Sequence, residues 1–299
     1  MGGFHAATLR SRPEVSEVRV FDVDPSRRTH ETVEAALEGA DLAVIVSPSA
    51  THAELITLCV DRGLPVFCEK PIDVDLEVTR RVVAHVEAAG GTVQMGFQRR
   101  FDAAFDAAFE TVRARARDGS LGRLHCFVMS TFDRTPPPMS YVPQSGGLFR
   151  DMHIHDFDTV RWLFGQEVEE VYAAGSVLVD EGFAASSDVD TSGLVLRFTD
   201  GLLGVVGGGR QNAAGYIARL DLFGSLEMAS VREERPYQDF LDRYPAAYQA
   251  ELDHFLRVAR GEAEPASTVR DGLEAMRLAE AADRSRRERR PVRLIEIPG

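Results

Sequence analysis

The 299-residue sequence contains little cysteine, very little lysine and no excess of positive charge. Its three cysteines, Cys59, Cys68 and Cys126, are too few and too irregular for a disulfide framework or a zinc site, so we expect a reducing compartment. The formal net charge of −13 disfavours binding to nucleic acid or to an anionic membrane surface. No apolar run reaches the roughly 18 residues of a membrane span, and the N-terminus lacks a signal-peptide pattern. We therefore expect a cytoplasmic protein.

The length and a change of sequence character near residue 120 predict two domains. Before that point strand and helix patterns alternate, which predicts a Rossmann-like, doubly wound parallel sheet. We assign residues 1–118 to a dinucleotide-binding domain. Its predicted strands are 18–23, 42–46, 65–68 and 92–97, and its predicted helices are 32–37, 52–62 and 76–89.

Residues 119–299 predict an α+β domain with an open, largely antiparallel sheet, which would bind substrate and form oligomers. Asp200-Gly201 and Gly224-Ser225 each separate two β-rich runs. Because these residues tolerate positive φ, both positions indicate hairpins. The other expected elements are a strand at 124–131, a loop at 133–147, and helices at 151–164, 248–259 and from 267 onward.

The beginning of the chain contains only part of a dinucleotide-binding turn. Such a turn normally follows a strand and reads G-x-G-x-x-G, so that the backbone can approach a pyrophosphate at a helix N-terminus. Here Gly2 leads directly into a helix and would be the last glycine of the motif; a glycine near a frayed terminus is the alternative. Asp22 ends a predicted strand about 20 residues later, where an acid binds the adenosine ribose, although a turn residue fits equally. This acid favours NAD, while Arg27 and Arg28 leave NADP open.

Two further segments follow buried strands and so belong to the carboxyl edge of the sheet, where these folds bind ligands. Most lysines lie on protein surfaces, but Lys70 stands between a buried strand and Pro71 in a lysine-poor chain. A functional role and a surface role are evenly balanced for it on this evidence. The candidate cofactor contacts in the two segments are Ser47, Pro48, Thr51, His52, Glu69 and Lys70.

Asp151, His155 and Asp158 are spaced four and then three residues apart, so a single helix would place them on one face. An imidazole beside a carboxylate makes a general base, and a lysine adds a cation that polarises an oxygen. Oxidation of a secondary alcohol by hydride transfer to a nicotinamide needs these parts. One alternative is a helix N-capped by Asp151 with packed histidines. A zinc site that includes His153 is another, but the His-x-His spacing points the two rings apart.

Glu69-Lys70-Pro71 and the Asp151…His155 pair resemble the Gfo/Idh/MocA oxidoreductases, and the resemblance covers nearly the whole chain. In that family the lysine of E-K-P and the D-x-x-x-H pair form the catalytic group. The resemblance therefore implies catalytic roles for Lys70, Asp151 and His155 in an NAD- or NADP-dependent dehydrogenase. It also implies a homodimer or homotetramer formed through the open sheet.

Within the family, residues 149–158 and 95–102 are most similar to inositol 2-dehydrogenases, which implies a cyclic polyol or sugar substrate. The implied substrate contacts are Arg100, Asp151, His155 and Asp158. Where those enzymes read R-x-A-x-Y-G-Y-D, this chain has Ala214 for an aromatic residue and Ile217 for an acid. Two expected contacts to myo-inositol are therefore missing.

The incomplete glycine motif leaves alternatives open. Met1 falls where family members read G-R-M-G, so we expect the true start of the coding sequence to lie upstream. The rivals to an active enzyme are a non-catalytic nucleotide- or sugar-binding homologue and a truncated, inactive subunit that pairs with a complete one. The missing phosphate loop favours these rivals, and the presence of Lys70, Asp151 and His155 argues against them.

Overall fold

The computed structural model describes residues 1–233 and 235–299, which fold as two compact units. The first unit contains residues 1–98 and 246–272, and the second contains residues 99–245 and 273–299. The predicted division between residues 118 and 119 separates a cofactor-binding part from a substrate-binding part, and it stays a prediction.

Helices and strands alternate in the first hundred residues, and strands dominate the middle of the chain. The helices are α1 (Gly2–Arg10), α2 (Val33–Leu37), α3 (His52–Asp61), α4 (Leu76–Ala89), α5 (Ala103–Asp118), α6 (Leu148–Asp151), α7 (His153–Phe164), α8 (Gly182–Ala185), α9 (Phe240–Arg243), α10 (Pro245–Ala259) and α11 (Val269–Glu288). The strands are β1 (Ala43–Ile45), β2 (Val66–Glu69), β3 (Val93–Gly96), β4 (Leu124–Phe132), β5 (Val168–Ser176), β6 (Thr191–Phe198), β7 (Leu203–Gly209), β8 (Ile217–Gly224), β9 (Met228–Val231) and β10 (Val292–Arg293).

The first unit is built on a parallel sheet in the order β1-β2-β3, which confirms the predicted fold class for this part of the chain. Its strands are short, buried apolar runs, as expected when helices cover a parallel sheet. Phe67 of β2 is fully buried in a cluster with Leu9 of α1 and Phe255 of α10. A helix from late in the chain therefore completes the core of this unit.

Residues 18–23 do not form the predicted strand. The Val20 carbonyl oxygen instead accepts hydrogen bonds from the backbone N–H groups of Thr29, at 2.8 Å, and His30, at 3.0 Å, which closes a loop. A strand needs a neighbour to satisfy its backbone groups, and no strand precedes α1 among the described residues. Val18 still packs against the Phe67 cluster, so the apolar pattern indicated burial and not pairing.

The second unit contains a mixed, open sheet in the order β10-β5-β6-β7-β4-β8-β9. Both predicted hairpins are confirmed, since β6 pairs with β7 around Asp200-Gly201 and β8 pairs with β9 after Gly224, in each case antiparallel. β4 and β7 are parallel neighbours. One face of the sheet is buried, and there Phe127 of β4 packs against Phe164 of α7 with ring centroids 5.1 Å apart. Val195 and Val205 lie on the exposed face.

None of the helices in the described ranges is both long and apolar enough to cross a membrane.

Candidate active site

The segment that carries Asp151 and His155 forms two helices instead of the single helix that the spacing predicts. α6 ends at Asp151 and α7 begins at His153, with Met152 between them. Gly147 precedes α6 with a φ of +89°, and a Cβ there would lie 2.9 Å from Asp188 Oδ1. Because Asp151 ends α6, it does not N-cap a helix, so the capping part of that alternative was wrong.

The Asp151 carboxylate is held by two donors from outside its own helix. Arg210 Nη2 donates to Asp151 Oδ2 at 2.7 Å, and the Tyr141 hydroxyl donates to Asp151 Oδ1 at 2.9 Å. Arg210 Nη1 also donates to Asp133 Oδ2 at 3.2 Å. Burial alone would lower the pKa of Arg210, but the carboxylates of Asp151 and Asp133 raise it. Arg210 is therefore a permanent buried cation that donates to the carboxylates of both Asp151 and Asp133.

This arrangement follows from the pairing of β4 with β7. The ladder aligns Phe132 with Gly209, so the next residues, Asp133 and Arg210, leave the two parallel strands side by side. Sequence reasoning missed Tyr141 and Arg210 as partners of Asp151, and Asp133 as the second acceptor of Arg210. The one available signal was a pair of opposite charges directly after two β-rich runs, but the parallel pairing itself is not visible in the sequence.

His155 and Asp158 both lie on α7. His155 is half-buried, and its carbonyl oxygen accepts the Thr159 hydroxyl at 2.7 Å. Asp158 is buried and accepts two hydrogen bonds from Arg100, from Nε at 2.9 Å and from Nη2 at 2.5 Å. The structure thus brings together two of the predicted substrate contacts, as a bidentate ion pair. Their contact with substrate stays a prediction.

A second buried network lies on the side of α7 that faces the sheet. Asp156 accepts from Arg99 at 2.5 Å and from the Thr131 hydroxyl at 2.7 Å, and its other oxygen lies 2.6 Å from His153 Nδ1. Burial raises the pKa of Asp156, but Arg99 and the hydrogen bond to His153 outweigh it and lower that pKa to about 2. His153 Nε2 lies 2.7 Å from the Ser192 hydroxyl. His153 therefore belongs to a packed ionic network. No metal-ligand cluster is found in the described ranges.

The N-terminal end of α1 is open enough for a ligand to approach its backbone. A Cβ added at Gly2 or Gly3 would meet no described atom within 4 Å. His5, on the same helix, is buried, and its Nε2 lies 2.9 Å from Glu69 Oε1. This contact ties α1 to the residue before Lys70. Open first-turn glycines at a helix N-terminus suit the pyrophosphate of a dinucleotide, so the residues present fit that group.

The loops after β1 and β2 are joined by His52. Its Nδ1 lies 2.7 Å from the Pro71 carbonyl oxygen, and its Nε2 lies 2.7 Å from the Ser47 carbonyl oxygen. With both ring nitrogens directed at backbone oxygens and the ring buried, His52 braces the two loops and does not face a ligand. The hydroxyls of Ser47 and Thr51 lie 2.6 Å apart on the exposed side of the first loop.

The remaining predicted cofactor residues lie at loop positions. Lys70 is half-buried and precedes a cis peptide bond to Pro71, and Pro48 is exposed. Asp22 is half-buried, and its Oδ1 accepts the Asp24 backbone N–H at 2.8 Å, as in an Asx-turn. One carboxylate oxygen of Asp22 is therefore engaged in the turn, and its role toward a ribose stays a prediction.

Comparison with known proteins gives matches along both parts of the chain. Residues 6–97 match the family described as "Oxidoreductase family, NAD-binding Rossmann fold", residues 109–230 match "GFO/IDH/MocA C-terminal domain", and residues 222–294 match "Oxidoreductase family, C-terminal alpha/beta domain". The predicted combination of a Rossmann domain and an α+β domain is confirmed.

Similar proteins are related along their full length. The myo-inositol 2-dehydrogenase of Thermotoga maritima is 38% identical over 97% of this chain and 89% of its own. The inositol 2-dehydrogenase of Rhizobium meliloti is 33% identical over 98% of this chain and 96% of its own. The crystal structure of a myo-inositol dehydrogenase from Corynebacterium glutamicum matches with a TM-score of 0.85 and 32% identity, covering 100% of this chain and 96% of that one. This chain therefore belongs to the Gfo/Idh/MocA family of oxidoreductases.

Proposed function

We propose that this protein is an NAD-dependent dehydrogenase that oxidises a secondary hydroxyl of a cyclic polyol to a ketone. The observation that carries the proposal is the full-length similarity to relatives named inositol 2-dehydrogenases. The Arg210–Asp151 hydrogen bond supports it, because a carboxylate held in place by a buried guanidinium suits the orientation of a catalytic imidazole. No contact among the described residues favours the rival non-catalytic homologue.

The first unit would hold the cofactor. Gly2 would bind the pyrophosphate, Asp22 the adenosine ribose, and Ser47, Pro48 and Thr51 would line the cleft, with Glu69 and Lys70 at the end of the second strand. His52 would support these loops from below, as its two backbone contacts suggest. When bound, NAD supplies the acceptor for hydride.

The reacting groups are assigned from the family pattern. His155 takes the proton from the substrate hydroxyl while the substrate carbon that bears this hydroxyl loses hydride. Asp151 orients the imidazole of His155 and stabilises its protonated form. Lys70 provides a cation near the oxygen that becomes a carbonyl. Arg100 and Asp158 contribute to the substrate side as a linked pair. The absence of an aromatic residue at Ala214 and of an acid at Ile217 makes a polyol other than myo-inositol a specific alternative substrate.

The direct test is NADH formation when the full chain is mixed with NAD⁺ and each of a panel of cyclic polyols, including myo-inositol and scyllo-inositol. We expect turnover with at least one of them, and less with NADP⁺. Binding of NAD without turnover of any polyol would favour the non-catalytic rival. Failure to bind NAD would favour the inactive-subunit rival.

We also infer a homodimer or homotetramer formed through the exposed face of the open sheet. An apolar row crosses this face from Tyr172 to Val195, Val205 and Val128, which are cross-strand neighbours with 36% to 45% of each side chain exposed. Contiguous exposed apolar surface of this kind marks interaction sites. Val195→Asp should lower the native mass in light scattering, whereas Ile295→Asp, at an exposed apolar residue outside the row, should not. An unchanged mass for Val195→Asp would contradict this interface.

A cytoplasmic location is part of the proposal, and the cysteines support it. Cys59, Cys68 and Cys126 are all free thiols. Burial raises the pKa of the Cys59 thiol to about 11 and also raises the pKa of Cys68, which keeps both thiols protonated and inert. Fractionation of the source cells with an antibody against the chain would test the location.

A further inference from the structure

The Tyr141 side chain has no role in the reaction as assigned above, yet it touches a group that does. Its hydroxyl donates to Asp151 Oδ1 at 2.9 Å, while 43% of the residue remains exposed. A tyrosine that is partly open to solvent beside a catalytic carboxylate can contact a substrate in two ways. The hydroxyl is a hydrogen-bond donor, and the ring is an apolar wall.

The backbone around Tyr141 is firmly fixed. The Tyr141 N–H donates to the Pro138 carbonyl oxygen at 2.8 Å, and the Tyr141 carbonyl oxygen accepts from Gln144 N–H at 2.9 Å. The next residue, Val142, is buried and anchors the loop. Pro136 to Pro138 restrict the backbone before it. Tyr141 is therefore held in place before any substrate binds, and little ordering is needed for it to act.

The two donors to Asp151 differ in kind. Arg210 is a buried, permanent cation that Asp133 also holds, and it binds Asp151 through a charged hydrogen bond. Tyr141 is a neutral donor on a loop. The Asp151 carboxylate and partial burial raise the pKa of Tyr141, so its hydroxyl stays protonated and keeps donating at neutral pH.

We propose that Tyr141 is a positioning residue for Asp151 and that its exposed ring forms one wall of the polyol pocket. A cyclic polyol has apolar C–H faces with hydroxyls around its rim, so a ring next to a carboxylate matches both parts of such a ligand. The inference rests on the proposed function, because it needs Asp151 at the reaction centre. It makes Tyr141 a determinant of rate through its hydroxyl and of substrate affinity through its ring.

Two substitutions separate the hydroxyl from the ring. Tyr141→Phe should lower kcat about tenfold, the scale of one hydrogen bond to a charged group, with the KM for polyol nearly unchanged. It should also move the acid limb of the pH–kcat profile to higher pH, because a carboxylate without this donor favours a protonated imidazole more strongly. Tyr141→Ala should in addition raise the KM for polyol about tenfold, as expected when an aromatic contact is lost. Neither change should alter the dissociation constant for NAD.

Tyr237→Phe is the control, because Tyr237 lies outside the Asp151 contacts described above and this variant keeps the ring that lies 4.3 Å from the Arg235 guanidinium. It should behave as the wild type. If the wild type turns over a polyol and Tyr141→Phe has the same kcat and pH profile, the positioning role is overturned while the proposed function stands. If Tyr141→Ala leaves KM unchanged, the pocket wall is overturned. If the wild type turns over no polyol, the proposed function fails, and this inference fails with it.

Discussion

Arg210 donates to the carboxylates of both Asp151 and Asp133. Arg210 directly follows β7, and Asp133 directly follows β4, the parallel neighbour of β7. A lysine cannot form this bridge, because its ammonium is a single point charge without a planar fork. We expect Arg210→Lys to lower kcat by about a hundredfold, and Arg210→Met to lower the unfolding free energy by about 2 kcal/mol as well, since the half-buried carboxylates of Asp133 and Asp151 lose their shared donor. Steady-state kinetics would measure the kcat of Arg210→Lys, and urea denaturation would measure the unfolding free energy of Arg210→Met. Wild-type kcat in Arg210→Lys would show that the pair is only structural.

Lys70 is the only lysine in the sequence, so reagents that modify lysine side chains can test its role directly. Lys70→Ala should lower kcat about a thousandfold, within the range of lost acid–base catalysis, while the dissociation constant for NAD changes much less. Reductive methylation should inactivate the wild type, because it can modify only Lys70 and the N-terminal amine. The loss of activity should follow methylation of Lys70, and not of the N-terminal amine, in mass spectra of the treated protein. Unchanged turnover of Lys70→Ala would remove this residue from the mechanism.

Asp22 should set the choice between the two nicotinamide cofactors. Asp22→Ala removes the acid that we assign to the ribose hydroxyls, so the KM for NAD should rise about tenfold and the preference over NADP should narrow. Asp24→Ala is the control, because Asp24 lies in the same turn but bonds Ser26 and pairs with Arg27. Equal cofactor preference in the wild type and Asp22→Ala would mean that Asp22 is only a turn residue.

His52 should affect cofactor binding without touching the cofactor. His52→Leu removes both contacts to the Ser47 and Pro71 carbonyl oxygens, so the loops after β1 and β2 lose their common support. We expect the KM for NAD to rise about tenfold and the unfolding free energy to fall by about 2 kcal/mol, since a backbone carbonyl oxygen at this position loses its hydrogen-bond donor. His85→Leu, at an exposed histidine paired with Asp61, should change neither quantity much. A wild-type KM for NAD in His52→Leu would mean that the loops after β1 and β2 keep their conformation without His52.

The sequence predicts the local features of the fold well, because hairpin turns, buried strands and single helices depend on short stretches of sequence. The helix predicted at 76–89 is one example, and the structure places Asp75 and Gly90 at its two ends. Prediction from the sequence fails where the outcome depends on a distant partner. The segment 18–23 has strand composition but no neighbour with which to pair. The break at Met152 lies inside a pattern that suits one helix.

The candidate site shows the same division. Glu69-Lys70-Pro71, Asp151 and His155 could be chosen from motifs, and Arg100 and Asp158 could be chosen from similarity. The two groups that hold Asp151, Tyr141 and Arg210, come from separate places in the chain, and the β4–β7 pairing that brings Arg210 to Asp133 spans more than 70 residues. His52 was selected from its place in a cofactor loop, but only the fold shows that its ring points at the backbone.

The Arg99–Asp156 pair should be a main source of acid sensitivity in the second unit. Both side chains are buried, and Asp156 also bonds Thr131 and His153. Asp156→Asn would leave the Arg99 cation without its counter-charge, which typically costs about 3 kcal/mol or more. Chemical denaturation at pH 7 would measure this loss. Glu262→Gln, at an exposed acid paired with Arg260, should leave the unfolding free energy nearly unchanged.

The pH dependence of that loss follows from the sign of the shift. The pKa of Asp156 is about 2 in the folded protein, against about 3.9 for an unperturbed Asp, so the unfolded state binds a proton first as the pH falls. The stability that Asp156 contributes is therefore complete above about pH 5 and declines between that pH and 2. The difference in unfolding free energy between the wild type and Asp156→Asn should shrink over this window and be constant from pH 5 to 7. A difference that is the same at pH 3 and pH 6 would mean that the Asp156 carboxylate is not stabilised by Arg99 in solution.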